Sequence, residues 1–275
     1  MIVFFEKIQQ NFKFRSLDML NHSPKVQFEM QMGNYTLKTA SEIHELKSAF
    51  KLRHRCFYGG RTEQMDIDEF DSVCDHLIII DNASKNVVGT YRMNNSTSLF
   101  DFYSQTEFDM KSFILPFTNF VELGRACIDS QHRNGIVITL LWKGIYFYMK
   151  HVKADVLFGC SSIKNATPEQ AALVYRYFQQ KGLVSAKYQI KPRLSYKVPF
   201  FEENYGQYQD DLSETQIKEA EDLIPSLLKT YIKAGAEILG EPAYDHDMNT
   251  IDFLTCLKTQ NLAQKFERKF ERMSS

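Results

Sequence analysis

Three arginines and three carboxylates stand in apolar surroundings where a lone charge does not belong. Arg53 lies in Leu-Arg-His-Arg-Cys-Phe, Asp68 and Asp71 in Asp-Glu-Phe-Asp, Arg92 in Gly-Thr-Tyr-Arg, and Glu122 with Arg125 in Val-Glu-Leu-Gly-Arg. Burying a charge without a partner is so costly that such residues must pair, and three cations against three anions balance. The set can act as an ion-pair network tying a helix, an acidic loop and a sheet together. It can equally border a cleft, where carboxylates take protons and arginines orient a carboxylate; the two roles are compatible. Glu122 and Arg125 are three residues apart, so a regular strand puts them on opposite faces. Gly124 between them marks a candidate bulge, and a shared face requires one.

The next segment, Asp129-Ser130-Gln131-His132-Arg133-Asn134-Gly135-Ile136, is a turn leading into a helix. Free backbone N–H groups at such a helix start suit a phosphate or pyrophosphate. Three other stretches are discounted. Asp66-Ile67-Asp68-Glu69-Phe70 begins like a calcium loop, but Phe70 occupies the third ligand position. Asp245-His246-Asp247 reads as a surface loop, and Gly159-Cys160-Ser161-Ser162 does not meet the G-x-S-x-G pattern of a nucleophile elbow. Cys56, Cys74, Cys127, Cys160 and Cys256 are scattered singly, which predicts neither a zinc site nor a disulfide framework and fits a reducing cytoplasm. No metal is expected.

These residues need elements to position them. Alternation predicts a strand over Tyr35–Ala40, then a helix capped by Ser41, running to Phe57 and ended by Gly59–Gly60. Strands His76–Ile80 and Val87–Met93 form a hairpin after the acidic stretch Glu63–Asp75. Thr118–Ile128 is a strand, and Ile136–Lys150 a helix apolar on nearly every side and therefore buried. Val156–Ser161 and Thr250–Cys256 read as strands, Pro168–Gln179 and Ile217–Ala234 as helices, with a final charged helix to about Arg272. Helices mixed with antiparallel and crossover strands make an α/β sheet in one continuous domain. Ahead of it, Phe5, Ile8, Phe12, Phe14, Leu17 and Leu20 recur at roughly helical spacing, as in a helix docked on the body or lying in a membrane interface.

Composition sets the outer limits. The chain has 275 residues, 44% hydrophobic and 24% charged, ample for a sizeable core. Its 33 basic and 34 acidic residues leave a net charge of −1, which excludes a general nucleic-acid binder. No apolar run approaches the ~18 residues of a membrane span. Phe (22) and Tyr (14) are abundant, as large apolar surfaces require. Charge is nevertheless uneven: Lys181, Lys187, Lys191, Arg193 and Lys197 share a window without an acid, a solvated face or a landing site for an acidic partner.

Taken in order, these motifs resemble a known family. Leu-Arg-His-Arg-Cys-Phe, Asp-Ile-Asp-Glu-Phe-Asp-Ser-Val-Cys-Asp-His-Leu, Val-Val-Gly-Thr-Tyr-Arg, Phe-Tyr-Ser-Gln-Thr-Glu-Phe-Asp and Val-Glu-Leu-Gly-Arg-Ala-Cys-Ile are similar to the bacterial ornithine-acyl-carrier-protein N-acyltransferases. The likeness runs on through Leu-Leu-Trp-Lys-Gly-Ile and Leu-Phe-Gly-Cys-Ser-Ser to Asp-His-Asp-Met-Asn-Thr-Ile-Asp, over about residues 35–270. That family, often labelled hemolysin-like, is part of the GNAT superfamily and related to acyl-homoserine-lactone synthases and N-acyl amino acid synthases. The resemblance implies a GNAT-like α/β fold: a mixed, mostly antiparallel central sheet flanked by helices, with a C-terminal extension. One acyltransferase domain would span 34–275, with 1–33 a helical or interfacial segment outside it.

The resemblance also implies roles. Arg53 and Phe57 would sit at the acceptor cleft, Asp68 and Asp71 match the paired acids, Arg92 the strand arginine, and Glu122 with Arg125 the Glu-x-x-Arg motif. The pantetheine loop maps to His132-Arg133-Asn134-Gly135-Ile136-Val137, with His132 and Val137 departing from its usual pattern. The implied reaction moves a long (3-hydroxy)acyl chain from acyl carrier protein, or from acyl-CoA, to an amino acid's α-amino group. No tightly bound cofactor is called for. Glu122 is the first candidate base and the Asp68/Asp71 pair the second, while Arg125 or Arg92 grips the acceptor carboxylate. Backbone N–H groups around Ala126, Cys127 and Ile128 stabilise the oxyanion. Phe100, Phe102, Phe108, Phe113, Phe117, Tyr146 and Phe147 are candidates to line an acyl tunnel. The basic window and Arg133 would meet the acidic carrier, and the acidic loop Glu63–Asp75 could supply a carboxylate for an ornithine side chain. Ornithine is the first acceptor; glycine, other amino acids or a homoserine-lactone-type product would use the same constellation. A non-catalytic acyl-chain or carrier-binding module is the alternative of another class. The expected location is cytoplasmic, with peripheral contact at the inner membrane face.

Overall fold

The computed structural model describes residues 22–60, 63–96, 102–114, 119–260 and 262. In chain order the elements are β1 (Glu29–Met32), β2 (Tyr35–Thr39), α1 (Ile43–Tyr58), β3 (Asp75–Asp81), β4 (Val87–Asn95), α2 (Ser104–Glu107) and α3 (Lys111–Ile114). There follow β5 (Phe120–Ile128), α4 (Ile136–His151), β6 (Val156–Lys164), α5 (Pro168–Gln180), α6 (Phe201–Tyr205), α7 (Glu214–Leu223), α8 (Ser226–Ala234), β7 (Glu237–Ile238), β8 (Ala243–Asp245) and β9 (Thr250–Lys258). The described residues fall into two compact units, one within Met1–Leu99 and Leu123–Lys153, the other within Phe100–Glu122 and Ala154–Ser275. Strand β5 contributes Phe120–Glu122 to the second unit and Leu123–Ile128 to the first.

In the first unit β1, β2, β3 and β4 form an antiparallel meander, with Leu37 opposite Ile79 and Leu77 opposite Tyr91. The far part of β5 lies beside β4, and Asp129 N donates to Val88 O at 2.9 Å. Neighbouring residues of a strand face opposite ways, and each helix takes one face. Leu46, Ala49, Phe50 and Leu52 of α1 pack with Ile78, Val87 and Cys127. On the other side α4 presses Gly144 so close to Leu37 and Leu77 that an added Cβ would lie 2.7–2.8 Å from their methyls. The chain enters α4 through Gly135, whose φ of +87° is a conformation glycine adopts without strain. Helix α1 starts one residue later than the Ser41 cap expected. Glu45 reaches back to accept from the N–H groups of Ser41 and Glu42, at 3.0 and 3.1 Å.

In the second unit Phe120–Glu122 pair in parallel with Val156–Phe158. Strand β6 pairs antiparallel with β9 along its whole length, from Val156↔Lys258 to Lys164↔Thr250, and β7 and β8 add to β9. One apolar cluster joins Leu173, Val174 and Phe178 of α5 to Ala220, Leu228, Ile251 and Phe253; another gathers Phe102, Phe108, Phe113, Phe120, Phe158 and Tyr188. The single helix expected over Ile217–Ala234 is two, because Pro225 has no N–H to give and holds Ile224 extended at ψ 121°.

The strands are thus mixed and mostly antiparallel with helices packed on them, as expected. Strand β1 and the short β7 and β8 had no separate pattern. Residues 1–21, which carry the expected N-terminal helix, and most of the expected last helix lie outside the described residues; within 1–33, Glu29–Met32 is a strand. No helix among the described residues is long and apolar enough to cross a membrane.

Candidate active site

The first unit assembles the arginines and aspartates of the sequence into one network. Arg53, on the buried face of α1 and 1% exposed, donates from Nε to Asp66 at 2.7 Å and from both terminal nitrogens to Asp71 at 2.6 and 3.1 Å. Arg92, on β4, reaches Asp68 at 2.5 Å and Asp71 at 3.3 Å. Arg125, on β5, reaches Asp68 at 2.9 Å and Asp66 at 3.4 Å. Three cations meet three anions, but the third anion is Asp66 rather than Glu122. Asp66 lies two residues before Asp68, and the run Asp-x-Asp-x-x-Asp was the signal that could have found it. The loop is held in shape by Asp68 N, which donates to Asp71 Oδ2 at 2.8 Å. Phe50 and Phe70 cover Arg53 and Arg92, at 5.1 and 5.6 Å from their ring centres.

The electrostatics follow from this packing. Burial alone would push the Asp71 carboxyl up, but Arg53 and Arg92 more than offset it and hold it well below the carboxylate range. Arg92 is raised in turn by Asp71 and Asp68, despite its burial. His76, fully buried with Nε2 2.9 Å from Asp71 O, is pushed down to about 4 by desolvation and stays neutral. Only Asp68 and Arg125 keep an edge toward water, with side chains 17% and 14% exposed. The rest of the acidic loop is engaged as well. Glu63 pairs with Lys51, and Asp75 accepts from Lys25 N, Val26 N and the Tyr148 hydroxyl.

Strand β5 is not regular. Arg125 has φ +50°, the left-handed region that a residue with a side chain enters at a cost, and such strain concentrates at functional sites. The break therefore falls on Arg125 itself, one residue beyond Gly124. Leu123 to Ala126 are all half-exposed within the strand. Glu122 belongs to the second unit, where it accepts from Tyr103 N at 2.9 Å and Ser104 N at 2.7 Å, closing the first turn of α2.

Beyond that turn, Glu107 of α2, Asp245 of β8 and Asp252 of β9 bring one oxygen each within 4.8 Å of one another, and all three are buried. Burial first, then the charges of Asp252 and Asp245, raise the Glu107 carboxyl well above its ordinary value; burial and Asp245 push Asp252 up to about 6. Asp245 is thus no surface loop: it accepts from Asp247 N, Met248 N and the Tyr103 hydroxyl. Sequence reasoning gave Glu107 and Asp252 no role, although both lie in stretches that resemble the family; what it could not see is that they meet in space. Cys160 sits mid-strand opposite Leu254, not on an elbow, and burial keeps its thiol protonated.

The other expected residues are placed as follows. Phe57 packs on the α1 core. Ala126, Cys127 and Ile128 end β5, where Ile128 O accepts from Arg133 Nε at 3.1 Å. The Cys56 thiol is lowered to about 7 by hydrogen bonding to Cys127 and by Arg133. His132 closes a one-turn helix against Tyr35; Arg133, Asn134, Gly135 and Ile136 are exposed and Val137 is buried. Asn134 Oδ1 takes the Ile136 N–H at 3.1 Å. Phe102, Phe108 and Phe113 share the aromatic cluster of the second unit, whereas Tyr146 and the exposed Phe147 lie on α4 of the first. Phe100 and Phe117 lie outside the described residues. Lys181, Lys187, Lys191, Arg193 and Lys197 are all exposed, and the exposed Leu194 (85%) lies within their window.

Residues 52–143, which hold the whole Arg–Asp network, Glu122 and the turn, match the acetyltransferase (GNAT) domain model. The chain is an acyltransferase with a GNAT domain. More narrowly, it is a distant homologue of L-ornithine N(alpha)-acyltransferases. It is 27% identical to that of Agrobacterium fabrum over 257 residues, 86% of this chain and 85% of the relative. It is 28% identical to that of Brucella abortus over 257 residues, 86% and 88% of the two chains. Among solved structures, FeeM, an N-acyl amino acid synthase from uncultured soil microbes, is 10% identical with a TM-score of 0.49, over 84% of this chain and 98% of its own. The acyl-homoserine-lactone synthase LasI is 11% identical with a TM-score of 0.43, over 85% and 92%.

Proposed function

We propose that this chain transfers a long (3-hydroxy)acyl group from acyl carrier protein to the α-amino group of an amino acid, ornithine first, in the making of lyso-ornithine lipid. The observation that carries this reading is its alignment, over 86% of its length, with relatives named for acylating ornithine at the α nitrogen. In the reaction the α-ammonium loses a proton, the freed amine attacks the thioester carbonyl, and the pantetheine thiol leaves. Glu122, oriented by two backbone N–H groups, takes the proton directly or through a water. Asp68, on the exposed edge of the network, is the second candidate; Asp71, clamped by two arginines, serves to position it. Arg125 rather than the more deeply buried Arg92 meets the acceptor carboxylate. Backbone N–H groups of Ala126–Ile128 face the oxyanion, and the turn Arg133–Val137 receives the phosphate of the donor arm.

The basic window supports a carrier-protein donor over coenzyme A. Five exposed cations around an exposed leucine suit an acidic partner with an apolar spot. A soluble donor and a lipid product place the enzyme in the cytoplasm, in peripheral contact with the membrane. Mass spectrometry of lipids from cells expressing the chain tests the proposal. A new species weighing ornithine plus a 3-hydroxyacyl group is expected; an unchanged lipid profile contradicts it.

A further inference from the structure

The second unit buries three carboxyl groups with no cationic side chain paired to them. Glu107, Asp245 and Asp252 are 0%, 5% and 2% exposed, and no lysine, arginine or histidine among the described residues forms an ion pair with any of them. Glu107 Oε1 and Asp252 Oδ1 accept no hydrogen bond from any neighbouring donor, although both are buried; at these atoms the two raised carboxyls have only each other. Buried polar atoms are almost always satisfied, and an orphaned carboxylate oxygen is costlier than most. Two such oxygens beside a third carboxyl suit a cation with several donors.

The dimensions suit an alkylammonium. Three oxygens no more than 4.8 Å apart have a centre at most 4.8/√3, about 2.8 Å, from each, which is the length of a charge-assisted N–H···O bond. An –NH3⁺ group has three N–H bonds to direct at three carboxylates. Position agrees as well. Glu107 lies three residues along α2 from Ser104, whose N–H donates to Glu122, and three residues of helix rise about 4.5 Å. Cys160 Sγ touches both ends of that turn, donating to Ser104 Oγ at 3.4 Å and Glu107 Oε2 at 3.6 Å. A chain of three methylenes spans such a gap. Tyr103, whose hydroxyl touches Asp245, is half-buried.

We infer that Glu107, Asp245 and Asp252 form the specificity site for the acceptor side chain, selecting an amino acid that ends in a primary ammonium while its α-amino group lies at Glu122. The assignment rests on the acyltransferase reading above and deepens it. It moves recognition of the side chain from the acidic loop, where arginines match Asp66, Asp68 and Asp71, to three acids that no cation among the described residues pairs with.

The test compares L-ornithine with L-norvaline, which has the same three-carbon side chain without the amine. For the full chain, kcat/KM for both is measured with acyl carrier protein thioester. The same is done for Glu107→Gln, Asp245→Asn and Asp252→Asn, with melting temperatures of the ligand-free proteins. Wild type is expected to prefer ornithine at least 50-fold. Each variant should bring that ratio below about 5, chiefly by raising KM for ornithine, and melt no lower than wild type because like charges have been relieved. Three results would overturn the assignment. One is equal use of norvaline by wild type, and another is an ornithine preference kept intact in all three variants. The third is that magnesium, calcium or manganese raises the melting temperature in wild type only and leaves the ornithine preference unaffected. Failure of the acyltransferase reading looks different: wild type then acylates neither amino acid, and both claims fall together.

Discussion

Two acidic clusters, each about the same size and each buried, are built to opposite rules. In the first unit Asp66, Asp68 and Asp71 face Arg53, Arg92 and Arg125, and nearly every polar atom is matched. In the second, Glu107, Asp245 and Asp252 face only one another and a few hydroxyl, thiol and backbone donors. A matched network fixes positions: it pins α1, the acidic loop, β4 and β5 in one arrangement. An unmatched one stores unfavourable energy that a cation can release. The same residue type thus serves as scaffold in one place and as receptor in the other, and the presence of arginine decides which.

The difference can be broken in order of effect. Asp71→Asn leaves Arg53 and Arg92 buried with less than their full counter-charge, and should cost about 3–5 kcal/mol in urea unfolding. A loss under 1 kcal/mol would mean the network is not the scaffold described. Glu122→Gln keeps the shape of the α2 turn but cannot take a proton, so kcat should fall about 10²–10⁴-fold with a smaller change in stability. A variant as active as wild type would move the base to Asp68.

Asp252→Asn should act in the opposite direction to Asp71→Asn. The Asp252 carboxyl is raised from 3.8 to about 6, so its favourable contribution is complete below pH 4 and is lost as pH rises through 6. The variant should therefore be more stable than wild type at pH 8, by on the order of 2–3 kcal/mol, with no gain below pH 4. Asp71 has the mirror-image dependence, because its folded value is depressed. Its contribution is present above about pH 4 and disappears as the solution is acidified. Unfolding measured from pH 3 to pH 8 checks both limbs, and two limbs of the same sign would erase the contrast. The smallest effect is expected at the surface. Lys187→Glu with Lys191→Glu should raise KM for the acyl carrier about tenfold at low salt and less at high salt, with acyl-CoA turnover unchanged.

How much was legible beforehand differs between the clusters for a physical reason. The first is carried by short local motifs, in which charged residues interrupt apolar periodicity, so Arg53, Asp68, Asp71, Arg92 and Arg125 could be paired from charge balance alone. Asp66 was overlooked because its stretch was weighed as a calcium loop, and Glu122 was put in its place because it shares a motif with Arg125. The second cluster is carried by stretches that resemble the family but show no charge balance to pair them. Glu107 and Asp252 are 145 residues apart in sequence; the β6–β9 and β8–β9 pairings align Asp252 with Asp245, and α2 brings Glu107 against Cys160 of β6. Strands and long helices were readable from period, whereas the break at Pro225 and the strained Arg125 depend on single residues. Gly124 drew attention for its missing side chain, yet the left-handed backbone falls on the arginine that the network holds.

The most direct test is the position of the acyl group on the product. Purified chain is incubated with 3-hydroxyacyl carrier protein and L-ornithine, and the product is fragmented in a mass spectrometer. With the side-chain ammonium held by Glu107, Asp245 and Asp252 and the α-amine at Glu122, the acyl group should be on the α nitrogen alone. Acylation at the δ nitrogen, or a mixture of the two, would contradict the account.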